Sequence, residues 1–286
     1  MKIAIASGKG GTGKTFVSTN LYRVGQKITP QLAIVDCDAE EPNVTQFVSG
    51  TNTKQETVTQ NLPIIDAQAC TFCGKCYEYC NYNAICFLPQ IQKISVIEEL
   101  CHNCGACVYA CEHGAITETI KKIGEITTYA HNINIIVEGR VEVGVASPVP
   151  VIKKTIQCVN NAPIALLDSP PGISCPFIAT VTQADYVVLV TEPTPFALHN
   201  VRVTIETLQE INKPFGVIIN RADIGNNESK EWFISQNIDI LLELPFDIRI
   251  AQVYSHGELL VDVEPRYYDM FQDLYAAIIQ NIEKWK

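Results

Sequence analysis

Two sets of residues in this chain have types and spacings that do chemistry. The first is Gly8-Lys9-Gly10-Gly11-Thr12-Gly13-Lys14-Thr15, which satisfies GxxxxGK[ST]. In such a loop the glycines let backbone amides converge on phosphate groups, Lys14 neutralises the β- and γ-phosphates, and the Thr15 hydroxyl sits on Mg²⁺. Carboxylates at Asp36, Asp38 and Asp168 accompany it, the last opening Asp168-Ser169-Pro170-Pro171-Gly172. The second set is cysteine. Cys70, Cys73, Cys76 and Cys80 form one C-x₂-C-x₂-C-x₃-C run, and Cys101, Cys104, Cys107 and Cys111 form another. That spacing wraps one iron-sulfur cubane with three thiolates and sends the fourth to the other cluster. It therefore groups Cys70, Cys73 and Cys76 with Cys111, and Cys101, Cys104 and Cys107 with Cys80, around two [4Fe-4S] clusters. Zinc is the competing metal, but its structural sites draw close pairs from separated hairpins, which contiguous crossed runs fit poorly.

These residues need particular elements to aim them. Met1 to Ser7 reads as a buried parallel strand that feeds the glycine loop, and Lys14 to Val24 reads as the helix whose N-terminus faces the phosphates. Gln31 to Asp36 is a second apolar strand, so Asp36 and Asp38 stand at a carboxyl end, where open α/β sheets bind ligands. Ile164 to Asp168, Tyr186 to Val190 and Phe215 to Asn220 continue the strand series, and another strand ends near Leu244. Helices are expected over Val149 to Val159 and Phe196 to Ile211. The tail from Tyr267 to Trp285 spaces Phe271, Leu274, Tyr275, Ile278, Ile279 and Ile282 along one face, as core packing requires.

Between these parts lies a different kind of text. The polar stretch Ser49 to Glu56 reads as a surface exit from the first domain. From about Gln60 to Thr119 the cysteine runs repeat, each followed by an Ala-Ile pair, Ala84-Ile85 and Ala115-Ile116, which implies two similar halves. Ile133 to Val137 and Arg140 to Val143 read as returning strands. The fold class expected is α/β, a P-loop nucleoside triphosphatase with a mostly parallel doubly wound sheet, plus an inserted small α+β ferredoxin-like domain. Its boundaries are 1–58 and 120–286 for the large domain and 59–119 for the insert.

Composition agrees with that division. A chain of 286 residues holds one full α/β domain and one satellite. Its net charge of -10 disfavours nucleic acid or an anionic membrane surface as partner. No apolar run approaches a membrane span, and the first residues enter the strand directly, which points to a cytoplasmic protein without a stable membrane anchor. In that setting, 12 cysteines read as ligands more than as disulfides. The four outside the runs, Cys37, Cys86, Cys158 and Cys175, are expected as small buried hydrophobes.

With these motifs in place, the sequence resembles the deviant Walker A ATPases of the MinD/Mrp type, relatives of the nitrogenase iron protein and ParA. The resemblance implies that Lys9 is the signature lysine reaching across a nucleotide-sandwiched dimer, that Asp38 lies in switch I, and that Asp168 and Gly172 lie in switch II. It further places Asn220 beside adenine, with Arg221, Pro245 and Asp247 nearby. The insert resembles bacterial two-[4Fe-4S] ferredoxins, except that Asn81 and Glu112 stand where proline follows the fourth cysteine. Glu112 would bring negative charge to a cluster and favour its oxidised state, and Tyr77, Tyr79, Tyr82 and Tyr109 would pack over the clusters. Cys175 stands at the offset of a cysteine that bridges the nitrogenase iron protein dimer, although a second bridging cysteine is missing around Glu138 to Pro150.

The expected reaction is phosphoryl transfer from ATP to water, with Mg²⁺ as cofactor, ADP as product, and Lys9, Lys14 and Asp38 catalytic. Coupled to it is electron transfer to a redox client, within a homodimer or a heterodimer with a paralogous ATPase. Two other readings share these motifs. One is an ATP-dependent carrier of clusters or a metallocofactor precursor to a client, and the other is a MinD-like positioning switch that senses redox state.

Overall fold

The computed structural model describes residues 1–285. Its strands are β1 (Lys2–Ala6), β2 (Ala33–Asp36), β3 (Thr51–Ile65), β4 (Ile85–Leu88), β5 (Lys93–Val96), β6 (Ile116–His131), β7 (Asn134–Val141), β8 (Ala165–Asp168), β9 (Tyr186–Thr191), β10 (Phe215–Asn220) and β11 (Ile240–Leu244). Its helices are α1 (Lys14–Ile28), α2 (Lys75–Glu78), α3 (Ala106–Ala110), α4 (Val149–Gln157), α5 (Cys175–Val181), α6 (Pro195–Glu210), α7 (Glu228–Ser235), α8 (Ile248–Ser255), α9 (Leu260–Val263) and α10 (Pro265–Trp285).

Nine strands form one sheet in the order β11-β10-β9-β1-β8-β2-β7-β6-β3. From β11 to β7 the pairing is parallel, and β6 and β3 then add antiparallel. The central strands β1, β2, β8 and β9 are short apolar runs because both faces of the sheet are covered. One face buries Val151, Ile152, Phe177, Leu198, Ile205 and Phe233 from α4 to α7. The other buries Val17, Leu21 and Tyr22 of α1 together with Phe271, Leu274 and Ile278 of α10. The stripe expected in the tail is thus core, and Ile282 ends it fully packed.

The polar stretch taken as a surface exit is instead the start of β3. Ile133 to Val137 and Arg140 to Val143 form a single strand, β7, rather than two. The boundaries drawn at 58/59 and 119/120 fall inside β3 and β6, which stay paired from Thr51↔Ala130 to Ile65↔Ile116. Only residues 66–115 leave the sheet, and they hold the small β4–β5 pair with α2 and α3.

That segment carries its internal repeat in the backbone. Phe72 and Asn103 have φ of 53° and 54°, Gly74 and Gly105 have 82° and 73°, and Asn83 and Gly114 have 53° and 65°. Each pair is separated by the same interval as Cys70 and Cys101, so sequence repeat and chain path agree. Of the four isolated cysteines, Cys37 is buried as expected, whereas Cys86 is half-buried and Cys158 and Cys175 are exposed. Cys158 ends a helix on the surface, where its thiol meets the Lys154 carbonyl at 3.4 Å. Among the described residues no helix is long and apolar enough to cross a membrane.

One close approach seats α4 on β7. A Cβ at Gly139 would stand 2.2 Å from Thr155 Oγ1 and 3.2 Å from Thr155 Cβ, so rotating the threonine cannot clear it. Gly139→Ala is expected to lower unfolding free energy by about 1–3 kcal/mol in urea denaturation, and adding Thr155→Ala to recover most of the loss. An unchanged midpoint for the single variant would contradict this packing.

Candidate functional site

β1 delivers the chain to the glycine loop, and Gly13, at φ 96°, turns it into α1. A side chain at Gly13 would meet Asn220 Nδ2 at 2.6 Å, because Asn220 donates from that nitrogen to the Thr12 carbonyl at 2.8 Å. Asn220, at the end of β10, is therefore a clamp on the loop as well as a wall of the cavity beside it. Lys14 begins α1 and is buried. Burial pulls its ammonium below the ordinary lysine range, against the opposing attraction of Asp168, Asp38 and Asp36.

The three aspartates differ in what holds them. Asp168 ends β8 and is almost fully buried. Its Oδ2 accepts a hydrogen bond from Thr15 Oγ1 at 2.7 Å, and its Oδ1 is buried without a partner among the described residues. A buried carboxylate oxygen left over beside a P-loop hydroxyl suits a hard cation such as Mg²⁺, which takes oxygen ligands and keeps several waters. Asp36 ends β2, fully buried, and accepts backbone N–H groups from Asp38 at 3.0 Å, Asn43 at 2.7 Å and Val44 at 2.9 Å. It thereby sets the course of the loop that carries Asp38. Burial, followed by repulsion from Asp168, raises the Asp36 carboxyl above the usual range, and burial raises Asp168 too. Asp38 is half-buried, and its carboxyl is raised chiefly by burial, with Lys14 pulling the other way. Gly172, at φ 82°, donates its N–H to the Ser7 carbonyl at 3.1 Å and ties the segment after Asp168 to the end of β1.

Lys9 points elsewhere. Its Nζ lies 2.9 Å from Glu192 Oε2, while Arg221 Nη1 reaches the other oxygen of Glu192 at 2.6 Å. The expected base-side residues do converge. A cavity of about 250 Å³ is lined by Asn220, Arg221, Pro245 and Asp247, together with Gly11 and Gly13. Asp247 caps α8 and its carboxylate is taken up by Arg249 and Arg266, so it braces the wall. Sequence reasoning missed Phe16, Ile250 and Tyr254 on the same cavity. Tyr254 stacks on Phe47 at 4.5 Å and stands edge-on to Phe16 at 6.3 Å. Nothing in its local sequence separates it from an ordinary surface tyrosine.

The cysteines assemble in the crossed pattern read from their spacing. Cys70, Cys73, Cys76 and Cys111 line one cavity, and Cys80, Cys101, Cys104 and Cys107 line another. Backbone N–H groups of Phe72 and Ala84 donate to Cys70 Sγ at 3.4 Å and Cys80 Sγ at 3.2 Å. Among the described residues no three Cys, His, Asp or Glu side chains converge tightly enough to hold a single metal ion. Two further expectations need correction. Tyr77, Tyr79, Tyr82 and Tyr109 are 43–87% exposed, so they rim the segment more than they shield it. Glu112 pairs with Lys75, which offsets the negative charge expected there.

Because the Asp168 carboxyl titrates above its unfolded value, its protonated form carries stability that is complete below the ordinary carboxylate range. That stability is lost as pH rises through the raised value. Asp168→Asn removes the charge, so at pH 7.5 the nucleotide-free variant is expected to be more stable than wild type by about 1–3 kcal/mol. The advantage should vanish near pH 4, and Mg²⁺-dependent nucleotide binding should be lost. Thermal melts across that pH range, with nucleotide titrations, check both parts.

Residues 3–261 match the CobQ/CobB/MinD/ParA nucleotide binding domain family. Two relatives from Methanocaldococcus jannaschii run the length of the chain. Uncharacterized protein MJ0579 is 29% identical, covering 100% of this chain and 97% of its own. Uncharacterized protein MJ0578 is 31% identical, covering 99% and 98%. The septum site-determining protein MinD of Pyrococcus horikoshii, solved with Mg-ADP, superposes with a TM-score of 0.59 at 18% identity, over 96% of this chain and 93% of that one. A ParA family ATPase of Chlorobium tepidum superposes with a TM-score of 0.58 at 13% identity, over 96% and 98%. At those identities the two structures speak to the fold, which is the P-loop α/β fold with a large, mostly parallel sheet. The match over 3–261 decides the rest: this chain belongs to the CobQ/CobB/MinD/ParA nucleotide binding domain family.

Proposed function

We propose that this protein hydrolyses ATP as a nucleotide-bridged dimer, and that it carries two [4Fe-4S] clusters from which electrons pass to a partner protein. The observation that carries the reading is the crossed cysteine grouping, which lies at the end of the β3–β6 strand pair, whose neighbour β7 is fastened to the loop of Asp38. Cys70, Cys73, Cys76 and Cys111 would hold one cluster, and Cys101, Cys104, Cys107 and Cys80 the other. When bound, such clusters supply one-electron exchange at a potential set by charge and hydrogen bonds to sulfur. Four thiols around each cavity, without a tight three-ligand cluster, suit a cubane better than a single zinc ion.

On the nucleotide side, backbone amides from Gly10 to Thr15 and the Lys14 ammonium bind the phosphates. The Thr15 hydroxyl and Asp168 would hold Mg²⁺. Asp38 orients the water that attacks the γ-phosphorus; the bond to the β–γ bridging oxygen breaks, and ADP and phosphate leave. Lys9 of the partner subunit would add charge stabilisation from across the dimer, which either a homodimer or a paralogous pair could supply.

Two hydrogen bonds support coupling between the chemistries. Val141 N–H donates to the Ala39 carbonyl at 2.9 Å, and Thr45 Oγ1 donates to Glu138 Oε2 at 2.8 Å. Both join the loop around Asp38 to β7, and β7 pairs with β6, which leads to the cysteines. A shift of that loop on nucleotide exchange is thereby passed to the strand pair. The carrier reading keeps one specific observation in its favour, because Cys73 and Cys104 are exposed, one in each grouping. Clusters that move to an apo-target only with ATP would favour it, whereas clusters that remain bound through redox cycles favour electron transfer.

Protein purified without oxygen should contain roughly eight irons and eight sulfides per chain. Cys111→Ser should remove about half of them, with loss of the EPR signal from one centre. Zinc in place of iron, or loss of both centres together in a folded variant, would count against the grouping. Lys14→Ala should abolish nucleotide binding, while Asp38→Ala should retain binding and lose at least about 100-fold in turnover. Wild-type turnover in both would sink the ATPase assignment.

A further inference from the structure

Glu192 is a buried carboxylate just past the end of β9 to which the mechanism above gives no task. It is 7% exposed. Each of its oxygens serves a different cation: Oε2 takes Lys9 of the phosphate loop at 2.9 Å, and Oε1 takes Arg221 of the base cavity at 2.6 Å. The Lys9 ammonium also lies 5.7 Å from the ring centre of Phe196. Lys9 is thus folded back onto its own chain. Arg221, which follows β10 in the left-handed region at φ 56°, holds a backbone conformation that a non-glycine residue adopts at some cost.

From this geometry we infer that Glu192 is a positioning residue that keeps Lys9 in reserve within its own subunit, and that Arg221 allows the release. The inference rests on the reading of a nucleotide-bridged dimer. A buried carboxylate stripped of its only cation is strongly unfavourable, so an isolated Lys9–Glu192 pair would resist opening. With Arg221 on the second oxygen, Glu192 remains paired when Lys9 swings out to a phosphate of the neighbouring subunit. The exchange moves one ammonium between two anions and leaves neither carboxylate nor phosphate bare. Lys9 in reserve also lowers the apparent affinity of the dimer by the fraction of time that the lysine is docked.

The two partners of Glu192 should therefore respond with opposite signs, which a merely structural ion-pair network would not do. Glu192→Gln, close to isosteric, should free Lys9, whereas Arg221→Gln should leave Glu192 with Lys9 alone and hold it more firmly. The first readout needs no nucleotide. Reaction of Lys9 with acetic anhydride in the full-length apo protein, followed by mass spectrometry, should be roughly tenfold faster in Glu192→Gln and slower in Arg221→Gln. The second readout is sedimentation with Mg²⁺ and a non-hydrolysable ATP analogue. The protein concentration for half dimerisation should fall roughly tenfold in Glu192→Gln and rise in Arg221→Gln. It should fall again in the double variant, because lost base contact alone would not be reversed by Glu192→Gln. In a Lys9→Ala background the Glu192→Gln effect should disappear. Equal Lys9 labelling in wild type and Glu192→Gln would overturn the reserve position. Faster Lys9 labelling in Glu192→Gln, combined with wild-type protein that never dimerises, would retain the reserve position and remove the role across the dimer.

Discussion

The structure is organised around the gathering of three carboxylates on one buried ammonium at the carboxyl end of the sheet. Burial pulls the Lys14 ammonium down while Asp168, Asp38 and Asp36 oppose that pull, and burial raises all three carboxyls in turn. Every neighbouring feature answers to that constraint. Asp36 spends its oxygens on three backbone amides and so draws the following loop into a fixed path, while Asp168 keeps one oxygen for Thr15 and one free. Strand ends are the only places in a parallel sheet where several such groups can be aimed at one point without breaking the ladder.

Much of this is legible in the sequence. The glycine loop, the short apolar strands and the tail helix announce themselves because burial on both faces, or on one stripe, leaves a periodic record in residue type. The cysteine grouping was legible for another reason: ligand chemistry fixes spacing independently of the surrounding packing. What failed was the ribbon of β3 and β6. From Thr51 to Thr57 the residues of β3 are polar and almost all exposed, so no alternation betrays a strand, and the run resembles a loop. Glu192, Glu138 and Tyr254 were invisible for a related reason. Their importance comes from partners far away in the chain, and nothing in the flanking residues distinguishes them.

The same contrast explains the isolated cysteines. Cys37 continues the line of β2 beside β8, its N–H donating to the Asp168 carbonyl at 2.9 Å, and packs in the core, whereas Cys158 and Cys175 lie at helix ends that face outward. The pairing of Glu112 with Lys75 was also beyond reach, since it joins the two repeats across their approximate symmetry. A repeat tells where equivalent residues stand, but not which groups from the two halves will meet.

The ribbon has a mechanical meaning. β7 supports β6 only as far as Gly124, and the paired strands then run on alone to Ile65 and Ile116, an overhang of roughly 25 Å at about 3.3 Å per residue. On the coupling proposed above it would serve as a lever, with its root next to the Asp38 loop. A tilt of about 10° at its root displaces the far end by roughly 4 Å, a distance comparable to the thickness of one hydration layer. Geometry of this kind lets a subtle rearrangement around a phosphate become a gap opened or closed at a distant surface.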